Sequence, residues 1–141
     1  NESLAEVKPG TPFNKIHDKS VEVLSEGLIS LGLLKGNLSE VIEKEQYSEF
    51  YMHRIGHWLG MDVHDVGNYK VNGKWRELEP GMVLTIEPGI YIKNSLGSVD
   101  EKWKGIGIRI ENDVLVNEKD AKILTSGAPT EIKDIELLMN S

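Results

Sequence analysis

Two stretches, "MVLTIEPGIYI" (82–92) and "GIGIRIENDVLV" (105–116), constrain this chain more than any other part of it. Both are apolar and rich in β-branched residues, and both have the length of a strand. Pro88-Gly89 is expected to break the first, and Asn112-Asp113 to turn the second. Each carries a glutamate among its apolar residues, Glu87 and Glu111. Strands alternate faces, so Glu87 shares a face with Thr85 and Val83, and Glu111 with Arg109 and Gly107. An ionised glutamate within an apolar strand is costly unless it is paired or bound to a cation. One such residue is accounted for by an edge position or an ion pair. Two of them, in a chain that also clusters its histidines, make a metal site the better account.

The histidine cluster is "YMHRIGHWLGMDVHDVGNY" (51–69), with His53, His57 and His64 and the neighbouring Asp62 and Asp65. His53 and His57 have the i, i+4 spacing of a zinc-protease helix, but the glutamate of H-E-x-x-H is absent. Gly56 and Gly60 also oppose a stable helix. Taken alone, the stretch fits surface or core histidines as well as a site. Taken with Glu87 and Glu111, it offers nitrogen and carboxylate donors that suit zinc, manganese, iron or cobalt, with the oxygen-rich mix favouring the harder ions. The chain has no cysteine, which removes disulfides, thiolate ligands and cysteine nucleophiles together. That fits a reducing compartment, and a cytoplasmic location is the expectation.

Around these motifs the order is helices, then strands, then one helix. "NESLAEV" reads as the last turns of a helix. Thr11-Pro12 opens an amphipathic helix over residues 12 to 31, and "NLSE" (37–40) resembles a capping box for a short helix. Asn72-Gly73 marks a hairpin, "AKILT" (121–125) a further strand, and Pro129-Thr130 a last helix with Ile132, Ile135 and Leu138 or Met139 on one face. The class is α+β, with helices packed on a largely antiparallel sheet. The 141 residues suit one domain, and 39% apolar with 28% charged residues is ordinary for a globular chain. No run approaches the roughly 20 apolar residues of a membrane span, and a net charge of -7 disfavours a nucleic-acid surface. "GIGIRI" lacks the third glycine of a dinucleotide loop. Trp58 is expected in the core or a pocket wall, and the other two tryptophans in packing.

Three motifs together, "HWLGMDVHDVG", "EPGMVLTIEPGIYI" and "GIGIRIEND", resemble in order and spacing the Xaa-Pro aminopeptidases (aminopeptidase P) and their prolidase relatives, the pita-bread metallopeptidases. The resemblance runs from "VKPGTPF" to the end of the chain. It implies a hydrolase with two divalent metal ions, manganese with zinc or cobalt as alternatives, acting on a peptide with proline at its second position. Carried over by position, it implies His57, Glu87 and Glu111 as metal ligands, with Glu87 also the general base. It implies His64 as the histidine that stabilises the transition state and His53 as a second histidine lining the substrate pocket. Arg109 would orient the acidic ligands.

The family also uses two aspartate ligands on strands that precede the "KPGTPF" helix. Before residue 62 this chain has only Asp18, within that helix. Residues 1–141 are therefore expected to be the C-terminal half of a catalytic domain, weak in metal binding or metal-free and without meaningful peptidase activity alone. Its uncovered sheet edge is expected to favour a homo-oligomer. The alternatives are a prolidase-type dipeptidase fragment and a non-catalytic peptide-binding module of the same fold.

Overall fold

Helix α2, Phe13–Ser30, is the spine of the molecule. Its buried side chains, among them Phe13, Ile16, Val21 and Leu28, recur at helical spacing and face two separate apolar clusters. Near its start, Phe13 and Ile16 pack with Val7, Ile55, Trp58, Leu84 and Val114. Near its end, Leu28 packs with Leu34, Val41, Phe50, Ile92 and Leu96. The structure, a computed structural model, describes all 141 residues. Helix α1 (Glu2–Ala5) and helix α3 (Leu38–Glu43) flank α2. Pro12, with extended backbone, caps α2 in place of the expected Thr11, which is buried. Asn37 caps α3 by accepting from the Glu40 backbone N–H at 2.9 Å, the half of the capping box that "NLSE" announces.

The strands are β1 (Lys70–Val71), β2 (Lys74–Trp75), β3 (Val83–Ile86), β4 (Gly89–Tyr91), β5 (Gly107–Arg109), β6 (Asn112–Val116) and β7 (Ala121–Ile123). Every pairing is antiparallel. The β1–β2 hairpin turns through Asn72 and Gly73, both at positive φ (51° and 78°), as an Asn-Gly two-residue turn requires. The sheet order β3-β6-β7 and the pair β4-β5 look like separate pieces, yet they share one register. Val83 lies opposite Leu115, Ile86 opposite Asn112, Gly89 opposite Arg109 and Tyr91 opposite Gly107. Backbone bonds extend the same offset from Met82 with Val116 to Ile92 with Ile106. A single long two-stranded ribbon is thus interrupted once, at Pro88. Proline has no N–H to give, and only the Ile110 N–H to Pro88 carbonyl bond remains there, at 3.3 Å.

The other edge of β3 is covered by residues 55–59. Leu59 N–H bonds the Val83 carbonyl, Thr85 N–H the His57 carbonyl and Glu87 N–H the Ile55 carbonyl, at 3.1, 2.9 and 2.7 Å. The histidine segment is therefore strand-like and not helical, consistent with Gly56 and Gly60 opposing a helix. Gly56 is required here: a Cβ on it would stand 1.8 Å from the Thr85 carbonyl oxygen.

Two expectations change. Asn112 and Asp113 do not turn the chain but lie in β6, paired with Ile86 and Thr85. The last helix, α4 (Ile132–Met139), starts two residues later than Thr130 and buries no residue. Its apolar side chains, Ile132, Ile135, Leu138 and Met139, are exposed.

Candidate metal centre

The constant register of the ribbon puts Glu87 opposite Glu111. The bonds at Met82–Val116, Pro88–Ile110 and Ile92–Ile106 mark the even-numbered pairs of the first strand as the hydrogen-bonded ones. Glu87–Glu111 is then a pair without mutual backbone bonds, the kind whose side chains stand closest. The same alternation puts Thr85, Glu87, Tyr91, Arg109 and Glu111 on one face, and the apolar Leu84, Ile86, Ile90 and Ile92 on the other. His57 joins that polar face from the neighbouring segment. One ligand atom from each of His57, Glu87 and Glu111 lies within 4.8 Å of the others. The histidine is half-buried, Glu87 is buried and Glu111 is exposed.

The hydrogen bonds around the cluster fix the roles of its atoms. His57 Nδ1 is 3.0 Å from the Trp58 carbonyl oxygen, which can only accept, so Nδ1 carries the proton. Nε2 points at Glu87 Oε1, 3.3 Å away, and is the nitrogen that a neutral ring would offer to a cation. The Thr85 hydroxyl accepts from the His57 backbone N–H and donates to Glu87 Oε1, both at 3.0 Å. One imidazole nitrogen and oxygens of two carboxylates therefore converge on one point. Like charges directly opposite in a sheet repel, and a buried carboxylate wants a counter-charge. Arg109 Nη1 stands 3.7 Å from Glu87 Oε2, too long for a hydrogen bond. One imidazole nitrogen and two carboxylates fit a divalent cation.

The remaining anticipated residues line the same cleft, about 600 Å³ in volume, whose walls include Phe13, Tyr69 and Trp75. His64 packs edge-on against His57, with ring centroids 4.2 Å apart. His53 donates from Nδ1 to the Arg54 carbonyl at 2.8 Å, so its Nε2 accepts from the Tyr91 hydroxyl at 3.1 Å. That hydroxyl in turn accepts from Arg109 Nε at 2.6 Å. Tyr91 thus ties His53 to Arg109. Sequence reasoning passed over it, although its position four residues from Glu87 on one strand puts it on the same face. Trp58 is buried in the apolar core and stacks on Tyr69, which lines the cleft. Asp18 is not in the cleft; it lies on α2, where the Asn14 amide donates to it at 2.9 Å. Asp65 accepts from the Val66 N–H and shapes its own loop.

Two other groups carry strong shifts. Burial pushes the His17 imidazole down to about 4, helped by the neighbouring Arg54 guanidinium. Burial pushes the Tyr51 phenol up to about 12, against the opposing effect of its hydrogen bond with Ser20.

Residues 1–118 match the profile of metallopeptidase family M24. A Xaa-Pro aminopeptidase of Haemophilus influenzae is 51% identical over 132 residues, 94% of this chain and 30% of its own length. Among solved structures, an aminopeptidase of Pseudomonas aeruginosa superposes with a TM-score of 0.96 at 51% identity, covering 99% of this chain and 31% of that one. Two structures of Escherichia coli aminopeptidase P, one with the inhibitor Pro-Leu and one zinc-substituted with product, reach 0.90 at 44% identity. Both cover 97% of this chain and 31% of theirs. The chain thus spans about 30% of the length of the relatives it matches, and its α+β architecture is that of part of the pita-bread fold. No helix is long and apolar enough to cross a membrane. With residues 1–118 matching its profile and these relatives covering nearly the whole of it, the chain belongs to metallopeptidase family M24.

Proposed function

We propose that this chain is the C-terminal, ligand-bearing part of a Xaa-Pro aminopeptidase, a hydrolase that removes an N-terminal residue preceding proline. The observation that carries the reading is the convergence of His57, Glu87 and Glu111 within 4.8 Å from three separate segments. The names of the relatives, and the Pro-Leu inhibitor in one of the neighbouring structures, support the substrate class. A divalent ion, with manganese as the proposed metal and zinc or cobalt as alternatives, would be held by these three side chains and would supply Lewis acidity toward the scissile carbonyl.

The chain's own residues do the rest. Glu87 takes a proton from the water that attacks the scissile carbonyl and passes it to the leaving nitrogen of proline as the peptide bond breaks, while Thr85 holds one of its oxygens in place. His64, on the rim beside His57, donates to the oxygen on which charge develops. His53 lines the pocket next to the aromatic wall, and its ring is set by Tyr91. Arg109, bound to Tyr91, keeps a positive charge near Glu87.

Calorimetric titration of the chain with manganese tests the site. The Glu111→Gln variant is expected to bind at least tenfold more weakly, and equal affinities would end the reading. Three donors around one point are too few to hold two ions. The purified 141-residue chain is therefore expected to give no robust turnover of a Xaa-Pro peptide with added manganese, and robust turnover would refute that part.

A further inference from the structure

Arg54 and Trp75 line the same cleft as His57 and Glu87. The Arg54 guanidinium carbon sits 5.0 Å from the centroid of the Trp75 indole, and Lys70 Nζ sits 4.4 Å from it. Both distances are those of a cation held on an aromatic face. Neither cation has a carboxylate within 4.0 Å, and the Arg54 side chain makes no hydrogen bond within the protein. In a chain of net charge -7, two cations without a carboxylate partner thus gather on one indole beside the cleft. The cleft is therefore electrically polarised. Glu87 is among its lining residues, and Arg54, seated on Trp75 with Lys70 on the same indole, gives it a positive side.

A peptide entering such a cleft is oriented by both ends. Its free amine meets the metal-binding end of the cleft, where His57 and Glu87 lie. An anionic group further along is drawn toward Arg54, whose planar fork matches the two oxygens of a carboxylate. We propose that Arg54, held on Trp75 beside Lys70, is a subsite for a carboxylate of the bound peptide on the far side of the scissile bond from the free amine. This rests on the aminopeptidase reading and narrows its substrate class to peptides with an anion downstream. The carboxylate is either the free C-terminus of a short peptide or the side chain of an aspartate or glutamate after the proline.

The test is peptide binding to the manganese-loaded 141-residue chain, by calorimetry or tryptophan fluorescence. The peptides are Ala-Pro-Gln amide, Ala-Pro-Gln with a free C-terminus and Ala-Pro-Glu amide, each with a free and an acetylated amine. At least one anionic peptide is expected to bind roughly fivefold tighter than the neutral amide, as suits a partly solvated ion pair, and the gap should narrow in high salt. Tighter binding of the free acid alone assigns the C-terminus; tighter binding of the Glu amide assigns a side chain. Arg54→Gln is expected to erase the difference while leaving the neutral peptide unchanged, Arg54→Lys to keep part of it, and Lys102→Gln, remote on Trp103, to change nothing. A starting protein that does not discriminate among the peptides, whether it binds all or none, overturns the proposal. So does a preference that survives Arg54→Gln. Acetylation separates the two readings. An anion preference insensitive to acetylation keeps the subsite and removes the aminopeptidase reading. Sensitivity to acetylation without anion preference keeps that reading and removes the subsite.

Discussion

Glu87 and Glu111 face each other across a ribbon, and two carboxylates so placed repel when nothing lies between them. The sign of the Glu111→Gln effect should therefore depend on the metal. In chelator, urea unfolding is expected to show the variant more stable than the starting protein by roughly 0.2–1 kcal/mol. With excess manganese the order should invert, because only the intact site is stabilised by binding. The same sign in both conditions would mean that the two carboxylates do not share a cation. His17 offers a second test. Its folded pKa of about 4 lies below the ordinary value of 6.5, so the unfolded chain binds more protons between them. Stability is full above pH 6.5, falls as the pH drops toward 4 and then levels, by at most about 3 kcal/mol from this group. His17→Gln should flatten that part of the profile; an unchanged slope in pH-dependent urea unfolding would contradict the assignment. Glu87, Glu111 and the histidines were legible because carboxylates among β-branched residues need a physical reason. His17 was not, since a lone histidine at helical spacing gives no sign of how dry its side of the helix is.

At the scale of elements, the strands themselves were legible and one turn was misread. Asn112-Asp113 has strong local turn chemistry, yet β6 runs through it. The reason is that its polar groups are satisfied in the extended form: Thr125 Oγ1 accepts from the Asp113 N–H and donates to Asn112 Oδ1, both at 3.1 Å. Pairing with β3 then outweighs local preference. Pro88 could be recognised as a break, but not that the ribbon resumes beyond it in the same register. That continuity, which aligns Glu87 with Glu111 and Gly89 with Arg109, depends on contacts between distant residues. The strand-like segment 55–59 was hidden for the same reason, because glycine and histidine carry little strand signal. Its attachment depends on Gly56 passing close to the Thr85 carbonyl. Gly56→Ala is expected to cost about 2 kcal/mol or more and to push His57 away from Glu87. Thermal unfolding and manganese affinity should both fall, and a variant that kept both would show that the close approach is dispensable.

The molecule as a whole leaves apolar surface uncovered in two places. Helix α4 buries nothing, although Ile132, Ile135, Leu138 and Met139 give it an apolar side. A groove of about 340 Å³ runs between α2 and the apolar face of the ribbon, lined by Leu24, Leu28, Leu31, Ile90, Ile108 and Ile110 among others. Beside it β5 is exposed at all three residues and pairs with β4 alone. The amphipathic pattern of α4 was plain in the sequence; that no part of the chain packs against it was not, because periodicity tells which side is apolar and not what meets it. Apolar surface of this kind and an open strand edge both favour association. The chain is expected to self-associate as its concentration rises, with light scattering on a sizing column as the measurement. Replacing Ile135 and Leu138 together by glutamate should shift the population toward monomer. Because both side chains already meet solvent, unfolding of the dilute protein should change by no more than about 0.5 kcal/mol. A clean monomer at high concentration would contradict the expectation. A large loss of stability in the double variant would mean instead that α4 is held by its own chain.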